Sequence, residues 1–321
     1  MFKKLLLTLL VLTLISAIGI GIYVGIREGF FVDIYECVTA PISFTLKDNL
    51  PDSDGEKAKV IILAGQSNAA GCSHVEYLQK SVSEEKFTEY EEGYDNVYIN
   101  FFSTKKNMSS GFVKCAIGQG DDESLFGPEV GMAEKLNELY PDQKFFIIKY
   151  AWSATSLFED WLSPSSVGRT GSKYKQFEVF VNTSLKYLID KGYDVEIEGM
   201  CWMQGESDSF SVENGVNYSN HLTNFIQDIR KEFSKYAADD GIAFIDATIA
   251  YLPAYWVFGE LVNQSKWEVT NSVPMTELVD TGANGLTTEN EPFDNPDKAH
   301  YDALSEIQLG HLFIEKLAQY I

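Results

Sequence analysis

From residue 57 onward the chain alternates two kinds of apolar pattern. Short continuous runs, KVIILAG ending at Gly65, KFFIIKY at 144–150, VEIEGMCW at 195–202 and IAFID at 242–246, are rich in Val, Ile and Phe and predict parallel strands buried on both faces. A looser run at 94–102 predicts a fifth. Between them, 174–190 and 214–236 space apolar residues three and four apart, and PEVGMAEKLNELY opens with Pro128 at a first-turn position, so each predicts an amphipathic helix. A last helix is expected over 301–320. Strand and helix in alternation predict an α/β domain, a three-layer α/β/α sandwich with a central, mostly parallel sheet. Residues 247–296 follow neither period and read as an insertion or an irregular lead-in to the polar string that precedes the last helix.

The amino-terminal segment is of another kind. Residues 5–26 are uncharged, preceded by Lys3 and Lys4 and closed by Arg27 and Glu28. At about 1.5 Å per residue, a helix there is roughly 33 Å long and can cross a bilayer core, whereas the apolar region of a cleaved signal peptide runs to about 7–15 residues. The expectation is one N-terminal transmembrane helix, a membrane anchor over 1–27 that meets the lipid bilayer through residues 5–26. Its basic end would stay in the cytoplasm and the rest of the chain lie outside. Secretion after signal cleavage is the alternative. Residues 28–56, which include the turn-rich DNLPDSDGEK, read as a juxtamembrane stalk, and 57–321 as the globular domain.

Composition adds two limits. With 47 acidic against 25 basic residues the net charge is −22, which disfavours nucleic acid as a partner. The four cysteines have no metal-binding spacing; Cys72 and Cys115 are the pair to consider for a disulfide, and Cys201, inside an apolar strand, reads as a buried thiol.

Three polar strings carry the candidate chemistry. Gly65-Gln66-Ser67-Asn68 follows the first strand directly, where a tight turn can hold a serine exposed, although turn residues alone explain such a string. Ala69 stands where a G-x-S-x-G elbow needs its second glycine. Asp297-Lys298-Ala299-His300 sets an aspartate three residues before a histidine, where it can fix the imidazole tautomer or merely cap a helix. Trp202-Met203-Gln204-Gly205-Glu206-Ser207-Asp208 follows another strand on the same expected sheet edge. There Gln204 can offer its amide to an oxyanion and Glu206 can buttress the histidine. His74, lacking an acidic partner nearby in sequence, is set aside as a bystander.

GQSN, WMQGESD and DKAH, in this order across 57–321, resemble the motifs of the SGNH hydrolase superfamily and its sialate O-acetylesterase and acetylxylan esterase (carbohydrate esterase family 6) branch. The resemblance implies a flavodoxin-like sheet, Ser67 as nucleophile, His300 as general base and Asp297 as its orienting partner, with Asn68 and Glu206 in support. It also implies an oxyanion hole from the Ser67 N–H, the Gln204 side chain and an N–H at Ser153, with neither metal nor organic cofactor. Where the family carries Gly-Gly-Thr, this chain has Ser153-Ala154-Thr155, which puts a positive-φ turn at residues that adopt it only at a cost. Trp152, Trp161 and Trp202 are candidate sugar-stacking residues. The implied activity is hydrolysis of O-acetyl groups from carbohydrate. The alternatives are the same triad acting on a peptidoglycan acetyl, lipid or thioester substrate, or a degenerate, membrane-tethered glycan-binding protein.

Overall fold

The structure is a computed structural model that describes residues 43–104, 107–166, 168–290 and 297–321. The expected anchor at residues 5–26, and Cys37, lie outside them. Among the described residues no helix is long and apolar enough to cross a membrane.

The first strand, β1 (Lys57–Gly65), is followed by a single helical turn, α1 (Ser67–Ala70), a short β2 (Ser73–His74), and helices α2 (Val75–Ser81) and α3 (Glu84–Glu92). Then come β3 (Val97–Phe102), β4 (Val113–Lys114), β5 (Leu125–Phe126), α4 (Glu129–Leu139), β6 (Phe145–Ala151), α5 (Ser172–Asp190) and β7 (Asp194–Met203). The chain ends with α6 (Val212–Glu232), β8 (Ala243–Ala247), α7 (Gly259–Ser272), β9 (Thr276–Val279) and α8 (Ala303–Leu317). One sheet has the order β4-β3-β6-β1-β7-β8-β9, parallel except for the β3–β4 pair, while β2 and β5 form a small antiparallel ribbon. Every residue of β6 and nearly every residue of β1 is buried, as the continuous apolar runs require of strands covered on both faces.

The predicted strands and the four predicted helices all form. The segment 247–296 is more regular than expected: it contains α7 and β9, which extends the sheet beside β8. The helix was hidden because GELVNQSKWEVTNS carries only a sparse apolar stripe, and the strand because it is four residues long. Residues 44–56, read as part of a stalk, pack on the domain. Phe44 sits 4.9 Å from the Phe180 ring, Leu50 is buried, the Asn49 and Leu50 N–H groups donate to the Tyr187 hydroxyl, and Lys191 pairs with Asp48 and Asp52. Turn-forming composition concealed two apolar anchors that α5 receives.

Two features set the site. Chain order takes β6 to one side of β1 and β7 to the other, so the connections diverge at the carboxyl end of β1, where an open α/β sheet leaves a crevice. The three strands also end level, since Gly65 pairs with Ala151 on one side and Met203 on the other. Ser67, Ser153 and Gln204 therefore leave the sheet at one height. The remaining candidate pair arrives with α8, which packs on α4 so closely that a Cβ on Gly310 would lie 2.1 Å from the Pro128 carbonyl oxygen. Leu78, Phe87, Tyr90, Phe126, Val130, Ala303 and Ile307 fill the seam between α2, α3, α4 and α8, and bonds from Tyr301 to Asn68 and Ser73 hold the start of α8 beside the turn after β1.

Candidate active site

Gly65 makes the turn after β1 possible. Its φ is +145°, and its Cα faces the Met203 carbonyl, which also accepts the Gln66 N–H at 2.9 Å. The Gln66 side chain then collects three donors from the loop after β7: Gln204 Nε2 at 3.1 Å, Ser207 N–H at 3.2 Å and Gly205 N–H at 3.3 Å. Ser67 follows as the first residue of α1, where its N–H has no acceptor within the helix. Its side chain opens into a cavity of about 570 Å³, the size of a small-molecule site.

Asp297 and His300 line the same cavity. Asp297 Oδ2 lies 2.5 Å from His300 Nδ1 and Oδ1 accepts the Ala299 N–H at 2.8 Å, so the carboxylate holds both the ring and the turn that carries it. Burial disfavours a charged imidazole, but Asp297 and the Cys72 sulfur outweigh it and hold the His300 pKa above its ordinary value. The same imidazole holds the Asp297 carboxyl below its ordinary range against the opposing effect of burial. Asn68 secures the pair from the Ser67 side: its Oδ1 accepts the Tyr301 N–H at 3.1 Å, and its Nδ2 donates to Glu206 Oε1 at 2.8 Å. Ser73 Oγ clamps the Tyr301 carbonyl at 2.5 Å. Glu206 is buried behind this network, its pKa raised by burial, and it bonds Asn68, which in turn holds the backbone of Tyr301, next to His300.

Several expectations are corrected. Gln204 is fully buried and does not line the cavity; its Nε2 faces Asp208 Oδ2 at 2.7 Å, the Thr155 carbonyl at 2.9 Å and Gln66 Oε1, and its Oε1 accepts from the Tyr218 hydroxyl at 2.8 Å. Three acceptors for two protons leave nothing for an oxyanion. The amide instead ties together the loops after β1, β6 and β7. Asp208, whose pKa burial pushes up to about 6, accepts the Leu157 and Phe158 N–H groups at 2.8 and 3.0 Å in the same knot. The Ser153 N–H is also occupied, by Thr104 Oγ1 at 2.6 Å. The next residue, Ala154, takes the positive φ, +56°, lines the cavity, and has an N–H without an acceptor among the described residues.

Trp161 and Trp202 are core residues with no exposed surface, packed edge to face at 5.1 Å; Trp152, also buried, stacks on Phe102 at 5.9 Å. None of the three lines the cavity. The disulfide does not form: Cys72, Cys115 and Cys201 are free thiols. Cys115 donates to the Glu129 carbonyl at 3.3 Å, Cys201 is buried as expected, and Cys72 faces His300 and, at 3.8 Å, Asp121 Oδ2.

The cavity adds residues that the sequence reading passed over. His74 lines it after all. Asp121 is buried in its wall and accepts from Ser103 Oγ at 2.5 Å and Ser153 Oγ at 2.9 Å, while its N–H donates to the Gly71 carbonyl at 2.9 Å, so one residue joins three of the loops around Ser67. The available signal was the GQGDDES string just before Gly127-Pro128-Glu129. Glu129 does more than begin α4, because its carboxylate holds the Gly127 N–H and the buried Lys149 ammonium, and that ammonium reaches the Gln119 carbonyl at 2.9 Å. Phe210 and Trp256 also line the cavity, the first just beyond WMQGESD and the second inside the irregular YLPAYWVFG stretch.

The fold is that of an α/β protein with a central, mostly parallel sheet, whose loops converge on a cavity beside the serine that follows the first strand. The chain belongs to the family described as carbohydrate esterase, sialic acid-specific acetylesterase, which matches residues 57–319. Among solved structures it is similar to an Arabidopsis thaliana protein, at 17% identity and a TM-score of 0.56 over 82% of this chain and 99% of that one. It is also similar to NanS, at 13% identity and a TM-score of 0.57 over 84% of this chain and 98% of that one. At these identities the likeness shows a shared fold. No curated protein matches the chain.

Proposed function

We propose that this esterase-family chain is a serine enzyme that removes O-acetyl groups from carbohydrate through an acetyl-enzyme. The observation that carries the reading is the convergence of Ser67, His300 and Asp297 on one cavity, with the imidazole already bonded to its aspartate. Ser67 Oγ attacks the acetyl carbonyl carbon while His300 takes its proton. The N–H groups of Ser67 and Ala154 receive the oxyanion, because Ser153 and Gln204 have their donors engaged elsewhere. His300 returns the proton to the sugar oxygen as the ester bond breaks. A water molecule, deprotonated by His300, then releases acetate and restores Ser67. His300 also meets the Cys72 sulfur, a contact that proton transfer from Ser67 displaces.

The test is acetate release by the full chain from 4-nitrophenyl acetate and from acetylated saccharides, beside Ser67→Ala. Loss of at least about 10³-fold in kcat/KM is expected, since removal of a nucleophile leaves only binding and oxyanion stabilisation. Retention of near-parental turnover would overturn the reading. Inactivity of the parent, with saccharide binding intact, would favour the degenerate glycan-binding protein.

A further inference from the structure

We infer that the aromatic rim of the cavity, Phe210 and Trp256 with Tyr255 beside Trp256, is a platform for a pyranose ring of the substrate, so that the enzyme acts on acetylated saccharides by stacking the sugar next to the acetyl group. The inference rests on the esterase reading and adds to it the place where the carbohydrate sits.

Three observations support it. Phe210 leaves 62% of its surface exposed although it lines the cavity of Ser67 and His300. The Trp256 ring, half-buried on the same cavity, stands 5.6 Å from Phe210 at 66°, and Tyr255, 45% exposed, continues the surface 6.2 Å from Trp256. Exposed aromatics grouped at the mouth of a cavity mark a binding surface, whereas a single one does not.

The platform is also held in place. The Phe258 N–H donates to the Ser209 carbonyl at 2.9 Å, and the Tyr255 and Trp256 N–H groups both close on the Leu252 carbonyl. Ser209 N–H in turn reaches the Gly205 carbonyl at 3.1 Å, within the loop that Gln66 and Gln204 bind to the nucleophile turn. The aromatic faces therefore keep a fixed position relative to Ser67.

The occupant follows from the rest of the wall. Besides the rings the cavity presents Ser124, Asp122, His74 and Ser207. An acyl chain would leave those groups facing hydrocarbon. A pyranose offers an apolar C–H face to the rings and an equator of hydroxyls to these polar groups, which matches a lining that mixes the two.

The experiment compares the full chain with its Phe210→Ala and Phe210→Tyr variants on 4-nitrophenyl acetate and on partially acetylated xylo-oligosaccharides. For Phe210→Ala the loss of kcat/KM on the saccharide is expected to exceed that on the small ester by roughly tenfold, mostly through KM, and Phe210→Tyr to recover it. Equal losses on the two esters, or no loss on the saccharide, would overturn the platform. So would a change of oligomeric state in Phe210→Ala, which would make the rim a subunit contact. A parent that cleaves neither ester refutes the esterase and not the platform; intrinsic tryptophan fluorescence then decides, with saccharide binding in the parent that weakens in Phe210→Ala supporting it and no binding overturning it.

Discussion

Replacing Gly65 with alanine tests whether the contact between the ends of β1 and β7 places the nucleophile. A Cβ at Gly65 would lie 1.9 Å from the Met203 carbonyl oxygen and 2.6 Å from its carbon, both backbone atoms that no rotamer change can move aside. Ordinary contact begins near 3.4 Å, so the strand ends must part by about 1.5 Å. That displacement strains the Gln66 N–H bond to the same carbonyl, which is worth about 1 kcal/mol, and alanine at a φ of +145° adds about 1–3 kcal/mol of backbone strain. With about 2–4 °C lost per kcal/mol in a domain of this size, Gly65→Ala is expected to unfold roughly 5–10 °C below the parent. The catalytic effect is larger in proportion, because a misplacement of about 1 Å costs about 10²-fold in rate. The assay pairs kcat/KM on 4-nitrophenyl acetate with calorimetric unfolding. Gly285→Ala serves as control, since Gly285 also has a positive φ, +75°, but nothing within 4 Å of the added carbon. If Gly65→Ala retained kcat/KM within threefold of the parent, or unfolded at the temperature of Gly285→Ala, the steric argument would be wrong.

Two further outcomes are expected. His300 must be neutral to accept the Ser67 proton, and Asp297 helps to raise its pKa despite the opposing effect of burial. Activity should therefore rise with pH through a midpoint above the ordinary histidine value of about 6.5, and Asp297→Asn should move that midpoint down while lowering kcat by about 10²–10⁴-fold, as a pH–rate profile would show. Asp121→Ala releases Ser103 and Ser153, and with them the loop that holds Ala154 at positive φ. Here kcat should fall about tenfold or more with little change in KM, because oxyanion donors act mainly in the transition state. The loss should shrink in an Ala154→Gly background, where the turn no longer needs the restraint; kcat and KM measured across the four-protein cycle would show no coupling if Asp121 acted elsewhere.

Much of this protein is written locally. A strand buried on both faces must be apolar at successive positions, so KVIILAG and KFFIIKY announce the sheet before any neighbour is known, and an aspartate three residues from a histidine meets it within one turn. What each polar or aromatic side chain faces is a different matter, decided by which strands lie side by side and at what height they end. Gln204 has the chemistry of an oxyanion donor, but with Gly65, Ala151 and Met203 level its amide meets Gln66, Thr155 and Asp208 before any substrate can. Trp161 and Trp202 are indistinguishable in sequence from sugar-binding tryptophans until α5 and α6 close over them, while Phe210 and Trp256 stay at the rim because the turns that bear them bond to each other outside the core. Cys72 and Cys115 part for the same reason, one turned toward His300 and the other toward the Glu129 backbone. Periodicity records burial, which is a property of one segment. Partnership belongs to two segments, and only the packed sheet and its level strand ends supply it.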